Sequence, residues 1–133
     1  MVRIGLVTIV TTRLAEMKSF YEETLGFECV EELEGYVEFR SVGVRFALTT
    51  DKVMYTATGH SSFLESKSGQ RFELVFPILN ENLVGEYYDR LIASGASSVA
   101  PPQLMPWGRV TAFFADPDGN IHELYSLKDG EKI

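Results

Sequence analysis

A single cysteine, Cys29, stands among 133 residues, so no disulfide can form within the chain. It falls in a stretch of strand character, and a small buried hydrophobe is its simplest role. Histidine is nearly as scarce: only His60 and His122 occur. His60 falls in a long connection, and His122 alternates away from its neighbour Glu123. Basic residues are outnumbered, 12 Lys and Arg against 19 Asp and Glu, for a net charge of -7. That balance excludes the basic face that a nucleic-acid groove or an anionic membrane surface requires. Apolar runs are short. The N-terminal MVRIGLVTIVTTR is too brief to span a bilayer and lacks the basic flank and cleavage site of an export signal. It reads as a first strand, and the chain as cytoplasmic. No P-loop, GxGxxG or Ser-His-Asp grouping is present, so nucleotide and hydrolase readings have no motif to rest on.

What is present is an ordinary globular composition, 45% hydrophobic and 23% charged, in a chain long enough for one domain with a core. Ile4–Thr11 is rich in β-branched residues and reads as a strand. Thr12 is a candidate N-cap. Leu14, Met17, Phe20, Tyr21 and Leu25 then recur at helical spacing, so a helix is expected over 14–24, ended by Gly26. Strands follow over 27–33, 36–41 and 44–50. Residues 51–69 carry scattered Gly, Ser and Thr and read as a connection with a short helical turn near 62–65. The pattern then repeats. A strand is expected over 71–78, with Phe72, Leu74, Phe76 and Ile78 on one face and Arg71, Glu73 and Val75 on the other. Asn80 or Asn82 caps a helix over 83–94, with Gly95 at its end. A short strand over 97–100 leads into a loop stiffened by Pro101-Pro102, and two final strands flank Asp116–Asn120. The fold class is therefore α+β: two βαβββ repeats, about 2–50 and 70–127, in a single domain spanning the chain. Side by side they would form a curved, mixed eight-stranded sheet around a cleft, with the helices on the convex face.

Three motifs carry a resemblance. Asp116-Pro117-Asp118-Gly119-Asn120 is followed by Glu123-Leu124. Phe20-Tyr21 precedes Leu25-Gly26-Phe27, and Pro106-Trp107-Gly108 precedes the penultimate strand. In this order and spacing they resemble the vicinal oxygen chelate superfamily, which includes glyoxalase I, extradiol dioxygenases, and fosfomycin- and bleomycin-resistance proteins. The resemblance implies the paired-repeat fold and a homodimer, for which exposed sheet edges also argue. It further implies a metal held by one side chain from each of four strands. Those positions fall here at Leu6, Ala47, Glu73 and Glu123. Two are apolar and two are carboxylates, a shell without imidazole or thiolate, so no metal and no other cofactor is expected.

The register argument places Leu6, Ala47, Glu73 and Glu123 on the cleft face. Thr8, Arg45, Arg71, Trp107 and Tyr125 join Leu6 and Ala47 as ligand-contacting candidates. Glu73 and Glu123 are the catalytic candidates. Two close carboxylates can split their proton affinities and serve as acid and base. The commoner alternative is that Arg45 and Arg71 neutralise them. Trp107 is either a lid over the cleft or core packing, the commoner use of a lone Trp. The first functional expectation is a metal-independent protein that binds a small cationic or hydrogen-bond-donating molecule in the cleft. The second is a glyoxalase-related lyase or isomerase using Glu73 and Glu123, with or without a divalent metal. A third is a dimerisation scaffold with no ligand.

Overall fold

The computed structural model describes Met1–Lys132. The chain forms two compact units, Met1–Ser68 and Gly69 to the C-terminus, and each contains one βαβββ repeat.

In the first unit, β1 (Leu6–Thr11) leads to α1 (Leu14–Ser19), then to β2 (Cys29–Leu33), β3 (Tyr36–Phe39) and β4 (Arg45–Thr50). The sheet order is β1-β4-β3-β2. β1 and β4 run parallel, and the other pairs are antiparallel. Thr12 does not cap α1. Arg13 holds the N-cap position, and Thr11 Oγ1 accepts the Arg13 N–H at 2.9 Å. After Ser19 the helix widens to π geometry over Phe20–Thr24, and the Leu25 N–H donates to the Phe20 carbonyl at 3.1 Å. The wider turn accommodates two consecutive buried rings, Phe20 and Tyr21. Tyr21 meets Phe46 edge-on with centroids 5.1 Å apart and lies 6.2 Å from Phe39. With Val37, Leu48 and Met17 these rings form the core of the unit. Cys29 is only half-buried, because β2 is the outer strand of its sheet.

The connection expected over 51–69 is largely helical: α2 (Asp51–Thr58) and a 3-10 turn at Ser61–Leu64. The start and stop signals are in the sequence. Thr50 Oγ1 accepts the Val53 N–H at 3.1 Å, Asp51 occupies the first turn, and Gly59 closes the helix at φ +66. The weak apolar pattern of this segment hides them.

The second unit repeats the order with β5 (Val75–Ile78), α3 (Glu81–Ala93), β6 (Ser97–Leu104), β7 (Val110–Ala115) and β8 (Ile121–Ser126). Its sheet order is β5-β8-β7-β6. Asn80 caps α3 by accepting the Asn82 N–H at 3.0 Å. Val84, Tyr88 and Leu91 of the helix are buried, as are Ile78, Ala112, Phe114 and Leu124 of the sheet. β6 runs straight through Pro101-Pro102, where a loop was expected. It tolerates them because it is the outer strand and its register shifts on either side of Ala100.

β5 begins at Val75 rather than Arg71, and the reason is local. Gln70 Oε1 accepts the Ile121 N–H, and Gln70 Nε2 donates to the Ile121 carbonyl, each at 3.1 Å. The Leu74 N–H donates to His122 Nδ1 at 3.1 Å. Side chains thus make the connections that a backbone ladder would otherwise make. Regular pairing starts only when the Glu123 N–H donates to the Leu74 carbonyl at 3.0 Å.

The Asp116–Asn120 motif is a self-contained turn. Asp116 Oδ1 accepts the Asp118 and Asn120 N–H groups, both at 3.0 Å, and Oδ2 accepts the Asn120 side-chain amide at 2.9 Å. Gly119 supplies φ +85. Its role is to return the chain into β8.

Candidate functional site

Each sheet turns one face to its helix; the opposite, open face carries the candidates and is partly covered in the first sheet, where Ala47 and Thr49 are buried. On the open face of the first sheet, Leu6 pairs with Arg45 and Thr8 with Ala47 across β1 and β4. Glu38 lies opposite Ala47, and Tyr36 opposite Thr49. Glu38 is 7% exposed, and three charge-assisted or hydroxyl hydrogen bonds satisfy it. Arg45 donates through Nε at 2.8 Å and Nη2 at 2.7 Å, and the Tyr36 hydroxyl donates at 2.7 Å. These bonds, Arg45 first and Tyr36 second, hold its carboxyl down at about 2. Beside the network, α2 and the 3-10 turn cover part of the face. They leave a recess of about 370 Å³ lined by Thr8, Val10, Tyr36, Thr49, Val53, Met54 and Phe63.

On the open face of the second sheet, Glu123 pairs with Val75 on one side and Phe113 on the other. Tyr125, two residues on, pairs with Pro77 and Thr111. Glu73, in the extended segment before β5, brings its carboxyl against that of Glu123. Burial first, then the negative charge of Glu73 and a hydrogen bond shared with it, push the Glu123 carboxyl up to about 7. Near neutral pH the pair therefore has a proton to share, the state in which a carboxyl pair can both donate and accept. The arginine partners proposed from sequence are not there. Arg45 is committed to Glu38, and exposed Arg71 makes no ion pair among the described residues.

The remaining candidates divide. Tyr125 shares the Glu123 face, its ring under the Arg109 guanidinium at 5.2 Å. Trp107 is 58% exposed, which rules out core packing. It sits in the β6–β7 turn, where the Gly108 N–H donates to the Met105 carbonyl at 2.9 Å. His60 is a local cap, its Nδ1 accepting the Ser62 N–H. Fully buried His122 lies on the helix face, with Nε2 3.4 Å from Asp116 Oδ2. Sequence reasoning missed Glu38 and Tyr36. Their signal was the alternation of Tyr36-Val37-Glu38-Phe39 across the hairpin from Arg45.

Among the described residues no group of three or more His, Cys, Asp or Glu side chains could hold a metal ion. The family-implied metal positions offer two carboxylates, Glu73 and Glu123, and two apolar residues, Leu6 and Ala47. That donor set does not fit a Zn, Ni or Fe centre. No helix is long and apolar enough to cross a membrane among the described residues.

The sequence profile of the Glyoxalase/Bleomycin resistance protein/Dioxygenase superfamily matches residues 3–124. Among solved structures, a glyoxalase/bleomycin resistance protein/dioxygenase from Nocardioides is 26% identical. It superposes with a TM-score of 0.86 over 99% of this chain and 87% of that one. A family enzyme from Burkholderia phytofirmans is 21% identical at a TM-score of 0.86, covering 96% of this chain and all of its own. A lactoylglutathione lyase from Agrobacterium tumefaciens is 22% identical at 0.76, over 98% of each chain. The last two likenesses show the shared fold. No curated protein sequence matches significantly.

Proposed function

The chain belongs to the glyoxalase/bleomycin resistance protein/dioxygenase superfamily, and from that premise we propose that it is a metal-independent small-molecule-binding protein. The Glu73–Glu123 pair receives a cationic or hydrogen-bond-donating group of the ligand. One observation carries the reading: two carboxyls on the open face of a sheet face each other, so that one is pushed up to about 7. Among the described residues no cation pairs with either carboxyl, and a ligand cation or donor supplies the missing partner. Arg71, Trp107 and Tyr125 of the same unit complete the proposed ligand-contacting set. The reading includes a cytoplasmic location and a homodimer, the latter supported by the place of β1 at the margin of its sheet.

The test uses tag-free protein. Titration with Zn, Ni or Fe(II) is expected to give no stoichiometric heat. Small primary amines and guanidinium compounds are expected to shift the Glu123 side-chain carboxyl resonance, and Glu123→Ala to abolish their binding. Stoichiometric metal uptake lost in Glu73→Gln would reverse the reading. Light scattering is expected to report a dimer at about ten micromolar.

The same shared proton favours a second reading, a lyase or isomerase in which Glu73 and Glu123 act as base and acid. It is distinguished by catalysed deuterium exchange into a bound ligand, lost in Glu123→Gln while binding persists.

A further inference from the structure

The encounter of Glu73 with Glu123 is not enforced by the β5–β8 ladder, because Glu73 precedes the first ladder pair, Val75 with Glu123. Ahead of the backbone bond from the Glu123 N–H to the Leu74 carbonyl, the segment before Val75 is fastened to β8 by side chains at two points. Exposed Gln70 grips both backbone groups of Ile121. The second point is His122. Its Nδ1 accepts the Leu74 N–H at 3.1 Å, so its proton resides on Nε2, which faces Asp116 Oδ2 at 3.4 Å. The Asp116 carboxylate is itself fixed by three hydrogen bonds within its turn. The His122 ring is fully buried and touches Phe72, Phe76 and Phe114, with centroids 6.2, 6.1 and 5.8 Å away. It can move little.

The Leu74 N–H belongs to the planar peptide that begins at Glu73 Cα. Fixing that N–H fixes the Cα from which the Glu73 carboxyl departs. We propose that His122 is a positioning residue: its Nδ1, held by the Asp116 turn, places Glu73 against Glu123 on the opposite face of the sheet. The buried imidazole thereby acts on the open face without reaching it. The inference rests on the carboxyl-pair reading above and adds what builds the pair. The corresponding rung of the first repeat carries Phe46, paired in parallel with β1 as His122 adjoins β5. The fold therefore accepts a phenyl ring where the second repeat uses imidazole.

The experiment is a coupling measurement on the full chain at one pH. The readout is the change in the Glu123 side-chain carboxyl carbon resonance caused by Glu73→Gln. It is taken in wild type, His122→Phe and His122→Asn backgrounds, with hydrogen exchange of the Leu74 amide. Phe keeps the ring contacts and removes the acceptor. Asn places its Oδ1 near the position of Nδ1 and keeps it. The expected result is a clear response in wild type, its loss in His122→Phe and its rescue in His122→Asn. Leu74 exchange should be about tenfold faster in the Phe variant only. A full response in His122→Phe overturns the positioning role and leaves the carboxyl pair standing. No response in wild type overturns both. If His122→Phe does not fold, the through-hydrogen-bond coupling between the Leu74 amide nitrogen and His122 Nδ1 in the wild-type chain decides: a resolved coupling is expected, and its absence overturns the proposal.

Discussion

The two sheets use an acidic residue on the open face in opposite ways. In the first, Glu38 on β3 is matched by Arg45 and Tyr36 and is held at about 2. In the second, Glu123 on β8 meets Glu73 and is pushed up to about 7. The rungs correspond: Glu38 faces Ala47 across β3 and β4, and Phe113 faces Glu123 across β7 and β8. One repeat carries its acid on the third strand and the other on the fourth. A shared fold thus supplies two equivalent surfaces, and local charge decides their chemistry. A neutralised, hydrogen-bonded acid stiffens a surface. An acid facing another acid retains a demand for a proton or a cation.

The largest expected effect tests the equivalence of the rungs. Phe46 fills the place in the first repeat that His122 fills in the second, and its ring stands 5.1 Å from Tyr21. Phe46→Ala is expected to cost about 3–5 kcal/mol, measured by urea unfolding. A cost under about 1 kcal/mol would mean that the aromatic cluster is not the core of its unit.

A smaller effect isolates the unmatched pair. Folded Glu123 binds its proton more tightly than the ordinary value of 4.5 allows. The contribution of Glu123 to wild-type stability is therefore full below about pH 4.5 and is lost as pH rises through about 7. Glu123→Gln removes that slope. It is expected to be more stable than wild type at pH 8 by about 1 kcal/mol, after discounting for solvent screening, with little difference at pH 4. Denaturation midpoints across this range would show it. Parallel pH profiles would break the contrast between the sheets.

The matched acid gives the smallest and opposite effect. Glu38 is depressed, so its contribution is present above about 4.5 and disappears as pH falls toward about 2. Arg45→Met removes the first cause of the depression. The Glu38 carboxyl midpoint, followed by carbon-detected NMR, is expected to move upward, and acid-induced loss of stability to begin at higher pH. An unmoved midpoint would assign the depression to Tyr36.

Much of this was legible in the sequence because its signals are periodic. Phe46, Leu48, Val37 and Phe39 alternate cleanly, and Asn80 and Gly95 bracket α3, so the repeated βαβββ order follows from pattern alone. The open-face register of Leu6, Thr8, Arg45 and Ala47 in the first sheet, and of Glu123 and Tyr125 in the second, follows from the same alternation. What escaped depends on partners distant in sequence. Arg45 sits seven residues from Glu38, and only the β3–β4 hairpin brings them together. Without that pairing, Arg45 looks as suited to Glu73 or Glu123 as to Glu38. Alternation over 71–74 makes β5 look four residues longer than it is, because it cannot reveal that Gln70 and His122 take the place of ladder bonds. Residue type alone does not place Trp107, which the turn at Gly108 leaves outward.

The prolines of β6 have a consequence for how molecules of this protein meet. Pro101 and Pro102 lack amide protons, and they stand on the outer strand of the second sheet, where the register already slips. At the other margin, β5 is four residues long and contains Pro77. Neither margin presents the uninterrupted row of donors that an incoming extended peptide reads as a template. The second sheet is thereby protected from elongation into cross-β stacks. It can expose Glu73 and its neighbours to solvent without offering its backbone to another copy.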